Sequence, residues 1–208
     1  MTSGSATRNK RQRDEVLAAA RAEIKRDDVR RRRIVGGIWA VGLLVLAGLV
    51  TAALLSSRPT TGDEASAATD FTLPLSTGGE VSLSDYAGSP VVLYFNEGAG
   101  CDSCLTQMAA IEADPDFAEA GIEVLPIVMN TADQINAERE RLGVATPFAL
   151  DDGTVSEAYG TLGQGMHEGL PGHGFVLIDA DGTQLWYGNY PSMWLDPSEL
   201  FDLVEAKL

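Results

Sequence analysis

The chain has 208 residues, 30 Asp and Glu against 15 Lys and Arg, a net charge of −15, 45% hydrophobic residues and three Trp. A wholly disordered chain is excluded, because such chains lack the apolar residues to form a core, and this length suits one domain with appendages. Two cysteines exclude a disulfide-rich framework.

Charge is divided along the chain. Residues 1–33 hold 11 basic and 5 acidic side chains, whereas 59–208 hold 3 basic and 25 acidic ones. Between them, 34–55 (IVGGIWAVGLLVLAGLVTAALL) carries no charge over 22 residues. As a helix it is about 33 Å long, enough to cross a hydrocarbon core of about 30 Å. Arg30, Arg31, Arg32 and Arg33 abut its start and only Arg58 follows closely, so the positive-inside bias predicts a single-pass cell-membrane protein. Its organisation would be a basic cytoplasmic arm at 1–33, a transmembrane helix at 34–55, and an extracytoplasmic remainder.

A cleaved signal peptide is the rival reading, with Ala65-Ser66-Ala67 as its processing site. The apolar run is longer than a signal core, and no cysteine directly follows it to carry a lipid anchor. In the arm, 13–33 has helical periodicity, with Val16, Leu17, Ala20 and Ile24 on one side and a basic surface suited to anionic lipids. RNKRQR and VRRRR come with no folded nucleic-acid module, so no nucleic-acid partner is expected. Residues 56–69, rich in Ser, Thr, Ala and Gly, read as a flexible linker.

The outer domain, 70–208, opens with a hairpin, 71–74 and 81–84 around a turn at 76–79. VVLYFN from Val91 is too continuously apolar for a half-exposed strand and suits a central one. Helices are predicted at 103–113 and 115–120, the second stopped by Gly121. A buried strand follows at 122–129, then a helix at 131–142 with Thr131 as N-cap, an extended piece at 147–150 and a short helix at 154–159. Strands at 174–179 and 183–190 joined by Ala180-Asp181-Gly182 precede a closing helix at 197–206, capped by Asp196 with proline first. That order implies a mixed sheet between helices.

Cys101-Asp102-Ser103-Cys104 lies where the first buried strand gives way to its helix. Cysteines three residues apart at a helix start can close a disulfide, and the unpaired N–H groups there favour a thiolate on the first sulfur. Cys101 is therefore the expected nucleophile, and Cys104 the thiol that resolves the mixed disulfide. A zinc site would need four ligands, and His167 and His173 lack short-loop spacing. A static disulfide around two residues would remove little chain entropy.

The strand VVLYFN, the CxxC pair, Gly169-Leu170-Pro171 and FVLIDADGTQLWYG together resemble the thioredoxin-like superfamily. The resemblance lies in its redoxin branch, which holds membrane-tethered thiol-disulfide oxidoreductases of the TlpA and ResA kind and the alkyl hydroperoxide reductase/thiol-specific antioxidant peroxiredoxins. It implies a three-layer α/β/α sandwich with an N-terminal hairpin extension, and a catalytic set of Cys101, Cys104 and Pro171. Pro171 would be cis and present the substrate backbone. It implies exchange with protein thiols and disulfides outside the cytoplasm, an electron donor or acceptor, and no cofactor or metal.

Departures include Gly98-Ala99-Gly100 before the pair and Asp102-Ser103 within it. Asp102 and Glu97 would place negative charge near the sulfur and make it a milder nucleophile. The alternative is a peroxiredoxin, whose peroxidatic cysteine would fall at Cys104 with Cys101 as resolving thiol. Against that pattern, Cys101 stands where a Thr is expected and Gly172 where an activating Arg is expected. A second alternative is a Sco-like copper chaperone using Cys101, Cys104 and His173 with Met108 or Met166. Met108 also suits the helix core, and His173 a loop or a proton shuttle. The glycine-rich stretch 160–174 lacks a phosphate-loop lysine and reads as a flexible rim. Of Trp186, Tyr187, Tyr190 and Trp194, at least two should be core, and the acidic face suits cationic or neutral partners.

Overall fold

The computed structural model describes residues 3–63, 65–165 and 167–208. It divides into two compact units, with the boundary in sequence after Leu55.

The first unit is one helix, α1 (Ser3–Ser56). The predicted arm helix and apolar span are thus continuous. Arg30–Ser56 is long and apolar enough to cross a membrane, and Trp39 and Leu44 on it are about 70% exposed. The side chains of Val16, Ala20 and Ile24 lie outside the described residues.

The second unit is built on a mixed sheet in the order β1 (Thr60–Gly62), β9 (Thr183–Asn189), β8 (Gly174–Ile178), β5 (Val91–Phe95), β6 (Glu123–Val128) and β7 (Ala149–Leu150). Its centre is β5 (Val91–Phe95), parallel to β6 (Glu123–Val128) and antiparallel to β8 (Gly174–Ile178). All five β5 side chains are buried, as the unbroken apolar run requires. They alternate between two cores. Val92 and Tyr94 face α2 (Asp102–Ala113), α3 (Pro115–Ala120), α4 (Ala132–Leu142) and α6 (Pro197–Glu205). Val91, Leu93 and Phe95 face the hairpin β3 (Thr72–Pro74) and β4 (Glu80–Ser82) with the short helix α5 (Thr154–Ala158). The expected three layers are present, one of them made of the hairpin and α5.

Local chemistry sets the boundaries. Thr131 and Gln134 form a capping box on α4, which ends at Gly143 in the left-handed region. Asp196 accepts from Ser198 N–H ahead of Pro197 at the start of α6. After β4 the chain turns into a 3-10 turn at Leu83–Tyr86, because Asp85 accepts from Ser82 N–H at 2.8 Å. The predicted strand to residue 84 is therefore cut short. Asp151, which follows β7 (Ala149–Leu150), is buried and accepts from Val155 N–H, Ser156 N–H and the Ser156 hydroxyl.

The expected flexible linker at 56–69 is a correction. Thr60–Gly62 (β1) and Ser66–Ala67 (β2) pair antiparallel with β9 (Thr183–Asn189). Their side chains are exposed, so backbone hydrogen bonding to an otherwise open sheet edge holds them there. Of the four aromatics in question, Trp186 and Tyr190 are core and Trp194 is 41% exposed.

Asp151→Ala leaves two buried backbone donors and a hydroxyl without their acceptor. Urea unfolding should show a loss of about 2–3 kcal/mol, centred on α5.

Candidate active site

The loop leaving β5 is held by two asparagines. Asn96 is fully buried; its side chain donates to Tyr94 O at 3.2 Å and accepts from Gly98 N–H at 3.0 Å. Asn130, after β6, accepts from Ala99 N–H at 2.9 Å. Gly98 has φ +69°, and any Cβ there would collide with the Asn130 side chain, so only glycine fits. Cys101 N–H then bonds Gly98 O at 3.0 Å.

Cys101 is the N-cap of α2, and its sulfur accepts from Cys104 N–H at 3.3 Å. Cys101 and Cys104 are joined in a disulfide with Cα atoms 5.3 Å apart. Cys101 is half-buried and Cys104 fully buried. The first sulfur can meet a visitor, while the second is sealed in the core.

Neither carboxylate expected to oppose the thiolate stands alone. Asp102 is paired with Arg141 of α4, which also bonds Glu138 at 2.8 Å through Nε. The hydrogen bond to Asp102, then that to Glu138, raises the Arg141 pKa. Glu97 is buried and bonds His167 Nδ1 at 2.7 Å and His167 N–H at 3.3 Å. Gly165 packs so closely that a Cβ would stand 2.6 Å from Glu97 Oε1. The rim stretch is therefore tied to the loop ahead of Cys101.

Pro171 departs from expectation. No peptide bond among the described residues is cis. Pro171 is buried and bridges Leu162 in antiparallel fashion, flanked by Gly163 N–H to Leu170 O and Gly172 N–H to Thr161 O. The ladder takes its donors from the flanking glycines, so an extended trans proline, which has no N–H, fits. At Gly172 a Cβ would meet Asn189 Oδ1 at 2.7 Å and the Gln164 backbone at 2.8 Å. An arginine has no room there.

His173 is buried, edge-on to Tyr94 with ring centroids 5.0 Å apart. The Tyr94 hydroxyl lies 3.1 Å from His173 Nδ1 and 3.1 Å from the Cys104 carbonyl oxygen. Burial pushes the imidazole down to about 4 and the Tyr94 phenol well above its ordinary value. The copper reading finds no grouping of three His, Cys, Asp or Glu among the described residues. Met108 is core, and Met166 lies outside the described residues. No sequence motif marks Tyr94, Asn96 or Asn130. The one available signal was the polar groups of YFN inside an apolar strand.

The AhpC/TSA family model matches residues 65–184. The chain belongs to the AhpC/TSA family. A putative peroxiredoxin of Mycobacterium tuberculosis is 32% identical over 133 residues, covering 61% of this chain and 83% of that protein. Peroxiredoxin Bcp of Escherichia coli K12 is 32% identical over 119 residues, covering 54% and 76%. The crystal structure of peroxidoxin BcpB from M. tuberculosis superposes with a TM-score of 0.59 at 22% identity, covering 69% of this chain and 97% of that one. It supports the fold. This AhpC/TSA member is thus a thioredoxin-like protein of a redox-enzyme family, with a CxxC disulfide at the start of α2.

A neutral buried imidazole makes stability pH-dependent. With the folded pKa near 4 and the unfolded value near 6.5, only the unfolded chain binds the proton in between, so stability falls as pH drops through that window. The loss should be on the order of 3 kcal/mol by urea unfolding at pH 7 and pH 4. His173→Gln should remove most of that slope.

Proposed function

We propose that the chain is a membrane-anchored thiol peroxidase working outside the cytoplasm, with Cys101 and Cys104 as its dithiol and a protein dithiol as its reductant. The carrying observation is the half-buried Cys101 sulfur capping α2 with the buried Cys104 sulfur in the same turn. Kinship with peroxiredoxins supports the peroxide substrate. The arginines ahead of an apolar helix support the anchor and its orientation.

The reaction balances within the pair. Because Cys104 is sealed in the core, the first attack falls to Cys101 and not to Cys104, where the peroxiredoxin pattern would put it: the Cys101 thiolate attacks one peroxide oxygen, the O–O bond breaks, and the departing alkoxide takes a proton to leave as alcohol or water. The Cys104 thiol then attacks the sulfenic sulfur, a second water leaves, and the disulfide forms. Two electrons pass from the dithiol to the peroxide. A partner thiolate later attacks Cys101 and Cys104 departs, and the partner's second thiol completes the exchange. The pair closes without unwinding α2, so no large rearrangement separates the two states.

Exchange with client disulfides is the second reading, with the half-buried Cys101 at the contact. Gly172, where no side chain fits, favours it, because it leaves no guanidinium at that position to activate a peroxidatic thiolate.

Reduced full-length protein in detergent should consume one hydrogen peroxide per two thiols and regenerate with dithiothreitol. Cys104→Ser should accumulate a sulfenic acid at residue 101 that dimedone traps, and Cys101→Ser should not. The reverse labelling would move the first attack to Cys104, and no peroxide use with rapid reduction of insulin disulfides would favour the exchange reading. In intact cells, external protease should remove the 70–208 domain and leave the N-terminal arm protected.

A further inference from the structure

We infer that Tyr94 and His173 are a positioning pair for Cys104, setting how readily its sulfur departs when the 101–104 disulfide is opened. The inference rests on the redox cycle proposed above, and adds residues to it that neither the motif nor the family kinship assigns.

When a partner thiolate attacks Cys101 Sγ, a new sulfur–sulfur bond forms and the Cys101–Cys104 bond breaks. The electron pair stays on Cys104 Sγ. That sulfur is fully buried, so water cannot stabilise the charge, and fixed dipoles must do so. One is the start of α2. The other is the Tyr94 hydroxyl.

That hydroxyl has two neighbours, the Cys104 carbonyl and the His173 imidazole. The Cys104 carbonyl only accepts, so the single Tyr94 hydrogen goes to it across 3.1 Å. An imidazole N–H, on Nδ1 at 3.1 Å or on Nε2 at 3.4 Å, then donates to the phenol oxygen. A neutral imidazole has one such hydrogen, so its other ring nitrogen carries none. The chain runs one way, from the imidazole N–H to the phenol and from the phenol to the Cys104 peptide. Each link polarises the next in a low-dielectric core, and the last one fixes the backbone of the residue that must carry the thiolate.

Packing fixes the pair. Tyr94 stacks on Phe175 with centroids 4.7 Å apart and planes 11° from parallel, and His173 stands edge-on to the same ring at 5.6 Å. The other ionisable groups around the site are matched or uncharged. Asp102 holds Arg141, Glu97 holds His167, and Tyr190 packs edge-on to Phe175 at 6.0 Å.

The test uses full-length protein in detergent with dithiothreitol as the attacking thiol. Tyr94→Phe keeps the ring and removes the hydroxyl. It should slow disulfide opening about fivefold, the worth of one buried hydrogen bond. In a Cys101→Ser background it should also move the Cys104 thiolate absorbance titration to higher pH. His173→Gln retains an N–H donor and should behave nearly as wild type, whereas His173→Leu should reproduce Tyr94→Phe. A packing role alone would lower the melting temperature and leave both chemical readouts in place.

Wild-type opening rates and unchanged titration in Tyr94→Phe and His173→Leu would overturn the inference, as would His173→Gln failing as badly as His173→Leu. Should Tyr94→Phe not fold, the two His173 variants decide. A wild-type disulfide that dithiothreitol cannot open would instead overturn the redox cycle, and the inference with it.

Discussion

Strand β5 is enclosed on every side, with β6 and β8 bonded along its edges and a separate core against each face. A strand so placed has one register, because a shift of one residue would exchange the side chains of its two faces. The point at which the chain leaves the sheet is thereby set. From there Asn96 and Asn130 hold the short loop, and Cys101 arrives at the start of α2 with its sulfur in the capping position. Tyr94 occupies the face that meets α2, which places its hydroxyl under the Cys104 carbonyl.

The domain is strongly acidic, yet the dithiol does not sit in an unrelieved negative field. Asp102 and Glu97 each have a specific partner, although the Asp102–Arg141 pair is exposed and weakly stabilising. Gly172 admits no side chain. What remains to favour a thiolate is largely uncharged: the helix terminus and a chain of hydrogen bonds through Tyr94 and His173. Chemistry of that kind depends on burial and orientation more than on ionic strength.

The rim illustrates how a stretch that reads as loose acquires order. The glycines at 163 and 172 supply the backbone donors that bracket Pro171, and Gly165 lets the chain close on the Glu97 carboxylate. Small residues here serve close approach, while their abundance in sequence suggests mobility. Thr60–Gly62 and Ser66–Ala67 repeat the point at the sheet edge, where the side chains are exposed and the backbone is bonded to β9.

Local periodicity and capping make several features legible before the chain folds. These are the apolar helix, the order of strands and helices, the stop at Gly121, and the placing of two cysteines in one turn at the end of a buried strand. Its resemblance to the redoxins carried the fold class. What depends on distant partners is visible only once the chain is folded: the trans Pro171 bridged to Leu162, the linker's pairing with β9, the Arg141 and His167 partners of Asp102 and Glu97, and the contact of Tyr94 with both His173 and Cys104. Tyr94 and His173 lie 79 positions apart, and no local pattern encodes a hydrogen bond that exists only once β5 and β8 pair and α2 closes over them.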